Sequence, residues 1–120
     1  MRAARFEDLE VWRRAKDLAV SIYQVTNAGA FARDFGLRDQ IRRAAESAMS
    51  NIAEGFERYS AAEFQRFLSI SRASAGEVRS QLHLARELGY VSEPESSRLI
   101  SAYTELGRMI AALRATTGPQ

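Results

Sequence analysis

The chain has 120 residues, 46% of them apolar and 27% charged, which is enough for one hydrophobic core and one domain. Cysteine is absent and the only histidine is His83, which excludes disulfide scaffolds, thiolate nucleophiles and cysteine-based zinc sites. The 17 basic residues against 15 acidic ones leave a formal charge of +2, far too little to announce a nucleic-acid binder, although 16 of the 17 are arginine.

The first segment places Glu7, Asp8 and Glu10 where an export signal needs an unbroken apolar run. No window reaches the roughly 18 apolar residues of a membrane span, so the cytoplasm is the expected compartment. Prolines occur only at Pro94 and Pro119, which leaves long helices free to form. The first is predicted over about 7–26, where Val11, Ala15, Leu18, Ile22 and Val25 return at steps of four and three and Trp12 and Ala19 widen the seam. Asn27-Ala28-Gly29 is read as its stop. The second is predicted over about 34–56, with Asp34 as N-cap, Leu37, Ile41, Ala44, Ala48 and Ile52 as its stripe, and Gly55 as the turn that follows.

The third, over about 61–88, opens on the capping box Ser60-Ala61-Ala62-Glu63. It carries Phe64, Leu68, Ser71, Ala75, Val78, Leu82 and Ala85 inward, and Gly89 ends it. The fourth, over about 93–115, follows Ser92-Glu93-Pro94-Glu95 and has Leu99, Tyr103, Leu106, Ile110 and Leu113 as its seam, with a polar tail over 116–120. Connections of a few residues make each helix antiparallel to the one before. The expected fold is all-α, one up-down-up-down four-helix bundle over residues 1–120.

Helices 2 and 3 carry polar stripes beside their apolar ones. On helix 2 the stripe runs Gln40, Ala44, Ser47, Asn51 and Glu54; on helix 3, Glu63, Phe67, Ile70, Ser74, Glu77 and Gln81. A turn near residues 56–60 would bring Gln40 toward Glu77, Ala44 toward Ser74 and Asn51 toward Arg66, as a polar network that fixes register. The sharper alternative makes Glu54 and Glu77 catalytic or metal-binding carboxylates. No Glu-x-x-His pair is present, since Ser80 precedes His83 at that spacing, and no metal or cofactor is expected. Arg79-Ser-Gln-Leu-His83 resembles the Arg-to-His signature of the helical HEPN nucleases, but with fewer intervening residues than that pattern has.

Arg72, Arg79 and Arg86 fall at heptad spacing on helix 3, and Arg38, Arg42 and Arg43 on helix 2 could extend the stripe. The two readings are a solvated face with scattered ion pairs and a groove for phosphates or an acidic partner. Gly76 and Gly107, inside predicted helices, each cost roughly 1 kcal/mol relative to Ala, and close approach of another helix, pointing to subunit association, is the expected compensation. Phe6, Trp12, Phe67 and Tyr90 lie beyond the four seams, either capping the bundle ends or meeting another subunit.

Phe6-x-x-Leu9-x-Val11-Trp12, Gly36-Leu37-x-x-Gln40-Ile41-Arg42-Arg43-Ala44, Asn51-Ile52-Ala53-Glu54-Gly55, Glu63-Phe64-x-Arg66-Phe67-Leu68, Ser74-x-x-Glu77 and Gly89-Tyr90-Val91 together resemble the bacterial four-helix bundle proteins encoded in 23S rRNA intervening sequences. The resemblance spans about residues 6–113 and departs at Ser71, where that family usually has Ala. It implies a subunit that assembles into a homopentamer without established enzyme activity. It is also similar to the accessory variability proteins of diversity-generating retroelements, pentameric bundles that act beside nucleic acid. The matching positions here are Gln40, Arg42, Arg43, Asn51, Glu54, Gly55, Arg66, Ser74 and Glu77.

The expectation is therefore a non-catalytic homo-oligomeric binding module that meets RNA or a nucleic-acid-associated protein through Arg38, Arg42, Arg43, Arg72, Arg79 and Arg86, with Gln40, Ser47, Asn51, Glu54, Arg66, Ser74 and Glu77 as a structural network. The alternatives are a structural ring that recruits a protein, and a hydrolase or nuclease built on Glu54, Glu77 or His83.

Overall fold

The computed structural model describes residues 3–117, which form an elongated body of 48 × 21 × 20 Å without strands. Its helices are α1 (Glu10–Val25), α2 (Gly29–Arg33), α3 (Phe35–Phe56), α4 (Ala61–Glu87) and α5 (Glu93–Thr117), four long and one short. Residues 118–120 of the expected polar tail lie outside the described part, while α5 itself runs on to Thr117. Among the described residues no helix is long and apolar enough to cross a membrane.

The side chains that recur at steps of three and four are the ones that leave water. Ile22, Ile41, Ile52, Leu68, Leu82, Leu99, Tyr103, Leu106 and Ile110 are fully buried and line one core along the long helices. The most extensive packing joins α3 to α4 and α4 to α5, and α1 lies against α3 and, less broadly, α5. Helix α4 is thus the element that both wide seams share.

Several boundaries differ from the sequence reading. Helix α1 begins at Glu10 and not near residue 7, because Phe6–Asp8 close a separate 3-10 turn and Leu9 is extended. Phe6 then packs edge-on against Trp12, with ring centroids 5.0 Å apart. Helix α1 ends at Val25, and the buried Thr26 hydroxyl donates to the Ile22 carbonyl at 2.7 Å. The connection that follows contains α2, anchored by the fully buried Phe31. Gly29 sits at its first residue with φ 61°, a left-handed conformation that β-carbon-bearing residues resist.

Asp34 caps α3 by accepting from the Leu37 N–H at 3.1 Å, and its second oxygen accepts from the Tyr90 hydroxyl at 3.0 Å. Tyr90 also packs on Phe31, at 5.4 Å between centroids. The α4–α5 connection, where Gly89 has φ 75°, is therefore tied to the α2–α3 junction. Ser60 caps α4 by accepting from the Glu63 N–H at 3.0 Å. The returning half of that capping box is replaced by a pair between Glu63 and Arg66 at 3.1 Å, whose hydrogen bond holds the Glu63 carboxyl below its ordinary value.

Gly55 corrects a second expectation. It lies inside α3, buried, and does not turn the chain. A β-carbon there would sit 2.6 Å from the Phe67 Cβ and 3.0 Å from the Phe64 ring, so glycine is what lets α3 and α4 come this close.

Candidate functional site

The polar residues that share helical spacing fall into two groups in the structure. The first is the α3–α4 network, which is compact. Ser47 and Ser74 share a hydrogen bond of 2.7 Å, and the Asn51 amide donates to the Ser47 carbonyl at 2.8 Å and to its hydroxyl at 2.9 Å. One turn further along, the buried Ser71 hydroxyl donates to the Ala48 carbonyl at 2.5 Å. Ser71 thereby gains a bond that the Ala usual in the resemblance would lack.

The expected pairing of Ala44 with Ser74 is shifted by about one helical turn, since Ser47 takes that place. Gln40 is exposed, Glu54 pairs with Arg58 at 3.1 Å, Glu77 accepts from Gln81 at 3.3 Å, and Arg66 turns to Glu63 and to the face of Phe67. These four are therefore not members of one network. His83 is exposed, with its Nδ1 3.2 Å from the Arg86 guanidinium. Glu54, Glu77 and His83 thus have different partners and do not share a polar cluster.

The second group is the arginines. Arg42 donates to the Thr26 hydroxyl at 2.8 Å and stacks over the Tyr23 ring at 4.5 Å. Tyr23 in turn donates to Glu46, and that hydrogen bond raises its pKa. Arg38 pairs with Asp39 at 2.9 Å, donates to the Ala32 carbonyl and covers Phe35. Both guanidiniums fasten α3 to its neighbours. Arg43 is exposed on the same helix. Arg86 reaches Glu93 at 3.6 Å and Glu87 at 3.9 Å, joining the end of α4 to the start of α5.

Arg72 and Arg79 are different. They border a cleft of about 700 Å³ between α4 and α5, together with Arg108 and Arg114. Ala73, Gly76, Gly107 and Ala111 line it with almost no side-chain bulk, and the hydroxyl-bearing Ser69 and Thr104 complete its polar lining. Arg72, Arg79 and Arg114 have no side-chain hydrogen bond, ion pair or ring contact among the described residues, and Arg108 has one loose pair with Glu105 at 3.4 Å. No carboxylate lines the cleft among the described residues. Four always-charged forks, three of them without a side-chain partner, thus share one concavity, an arrangement suited to phosphate or carboxylate.

Within this chain no other helix packs onto Gly76 or Gly107. A β-carbon at either would meet no atom of the chain within 4 Å, although Gly107 is itself buried and Gly76 half-buried. The heptad stripe Arg72, Arg79, Arg86 is also divided, with two members on the cleft and one in ion pairs beyond it. Arg108 and Arg114 were not anticipated. The one signal in the sequence is for Arg114, which follows the small residues Gly107 and Ala111 on one line of α5, as Arg79 follows Gly76 on α4.

The four aromatics outside the seams are all engaged within the chain. Phe6 and Trp12 pack together, Phe67 is buried under Arg58 and Arg66, and Tyr90 holds Asp34.

Comparison with known proteins gives a consistent picture of ancestry. A family model described as 23S rRNA-intervening sequence protein matches residues 7–112. The crystal structure of a protein of unknown function from the S23 ribosomal protein family of Bacteroides thetaiotaomicron has a TM-score of 0.79 to this chain, at 23% identity over 87% of this chain and 97% of the other. That likeness is one of fold. No curated protein matches the chain.

Proposed function

Since the chain belongs to the 23S rRNA-intervening sequence protein family, we propose that it is a non-catalytic, cytoplasmic binding module that takes RNA on the arginine-lined cleft between α4 and α5. The observation that carries this reading is the convergence of the Arg72, Arg79 and Arg114 guanidiniums, none with a partner among the described residues, on a concavity that no carboxylate lines among the described residues. Elsewhere the arginines are largely occupied: Arg38, Arg42, Arg58, Arg66, Arg86 and Arg98 each hold a side chain or carbonyl of the protein itself. Guanidiniums left unpaired along one cleft repel one another, and a polyanion removes that penalty while releasing its own counterions.

The subunit is read as an up-down-up-down bundle that associates into a homopentamer. Contacts that pair Ser47 with Ser74 and Gly55 with Phe67 support opposite directions for α3 and α4. Exposed Phe35, Leu84 and Leu88 leave apolar surface for association. Light scattering coupled to size exclusion tests the assembly; a monomer at every concentration contradicts it.

Fluorescence anisotropy with a structured RNA over a salt series tests the binding. The expected result is affinity that falls steeply as salt rises and is lost in Arg72→Ala/Arg79→Ala. No affinity at low salt, or full affinity in that double variant, contradicts the reading.

A further inference from the structure

We propose that the occupant of the α4–α5 cleft is a single strand of RNA held by its sugar–phosphate backbone, and that Gly76 and Gly107 are the positioning residues that let the strand lie against the two helices. This inference rests on the RNA reading above and specifies its mode.

The two glycines are the starting point. A glycine in the middle of a helix weakens it, and a protein usually recovers that loss through the close approach of a neighbouring backbone or side chain. Gly55 does so here, against Phe67. Gly76 and Gly107 do not within this chain, since a β-carbon at either would meet none of its atoms within 4 Å. Both line the same cleft, one from each helix: Gly76 between Arg72 and Arg79 on α4, and Gly107 just before Arg108 and Arg114 on α5. What the missing β-carbons provide is depth below the guanidiniums.

The shape of the cleft selects its occupant. Neighbouring helices pack with axes about 8–10 Å apart, so the trough between them admits one chain and not the body of a duplex. A duplex would rest on the arginine rims and leave the floor untouched. A volume of about 700 Å³ holds a short run of backbone and riboses.

The lining also says what is read. No aromatic side chain is among its residues, so the stacking platform on which sequence-selective single-strand binders display bases is missing. Arginine forks flank a floor of Ala and Gly, with the Ser69 and Thr104 hydroxyls alongside, which matches phosphates and riboses and ignores base identity. Thr104 already donates its hydroxyl proton to the Ile100 carbonyl at 2.8 Å, so toward the cleft its oxygen acts as an acceptor, a fit for a ribose hydroxyl.

The experiment is an anisotropy comparison of oligouridine, oligocytidine and an RNA duplex of equal length on the full chain, with Gly76→Ala, Gly107→Ala and Arg72→Ala/Arg79→Ala, each variant also melted. Expected are similar affinities for the two single strands and at least about tenfold weaker binding of the duplex. Both alanine variants should melt higher than the parent yet bind oligouridine about tenfold more weakly. Duplex binding as tight as the single strands, unchanged binding in both glycine variants, or a lowered melting point in them would each overturn the inference. Loss of binding in the arginine double variant together with parental binding in the glycine variants would sink this mode and leave the RNA reading standing. Absence of any RNA binding would remove both.

Discussion

Helix α4 makes one seam with α3 and another with α5, and both contain glycine inside a helix. At the α3 seam, Gly55 is filled from the other side: Phe67 and Phe64 occupy the room its side chain would need, and Ser47, Asn51, Ser71 and Ser74 lock the register with short hydrogen bonds. At the α5 seam, β-carbons at Gly76 and Gly107 would meet no atom of the chain, and four arginines, three of them without a side-chain partner, border the space. The same residue type in the same kind of element thus serves contact in one place and leaves access in the other. The difference lies in what stands opposite, which is why a mid-helix glycine has to be interpreted with its neighbours.

The comparison can be broken most forcefully at Gly55. Gly55→Ala should lose about 1–3 kcal/mol or more, read as a lower denaturation midpoint, because the new β-carbon collides with the β-carbon of Phe67 and not with the end of a flexible chain. An unchanged midpoint would show that the seam has slack. In the opposite direction, Gly76→Ala and Gly107→Ala should each gain up to roughly 1 kcal/mol, since helix propensity improves and nothing is struck. A loss at either would assign it to the same class as Gly55.

Tyr103 offers a test of the core that both seams share. Its hydroxyl is fully buried without a hydrogen-bond partner among the described residues, and burial pushes its pKa far above the ordinary value. Tyr103→Phe should therefore be neutral or stabilising by about 1 kcal/mol near pH 7. The raised pKa means that the neutral phenol belongs to the folded state. Its contribution is complete below the unfolded value near 10 and is lost as pH rises beyond it, because the unfolded chain ionises first. Alkaline unfolding should accordingly be less steep in Tyr103→Phe; identical alkaline profiles would show that this phenol is not sequestered. The smallest expected effect is at the α3 seam. Asn51→Ala should lose about 1 kcal/mol in thermal or chemical melts, since Ser47 and Ser74 still pair with each other. No loss would make the asparagine a bystander to the register.

Much of the architecture is legible in the sequence because it rests on periodic burial. Leu99, Tyr103, Leu106 and Ile110 are inside at the spacing that predicts it, and Asp34, Ser60 and Ser92 accept the backbone N–H bonds expected of caps. Helix α2 is not legible, because five residues are too few to display a period and its anchor, Phe31, reads as one apolar residue in a loop. Within the candidate site, the heptad spacing of Arg72 and Arg79 identifies one wall. The other wall, Arg108 and Arg114, depends on how α5 is rotated about its axis, which spacing within a single helix does not encode. Arg38 and Arg42 show the converse. Their charge reads as free in the sequence, yet Asp39, Thr26 and the rings of Phe35 and Tyr23 absorb it once the helices are packed.

The most direct measurement is a nuclear magnetic resonance titration that follows the arginine Nε–H signals of the full chain as oligouridine is added. Shifts concentrated at Arg72, Arg79, Arg108 and Arg114, with Arg38, Arg42 and Arg86 unmoved, are the predicted result. Shifts confined to Arg38, Arg42, Arg43 or Arg86, or none at all at low salt, would contradict binding in the α4–α5 cleft.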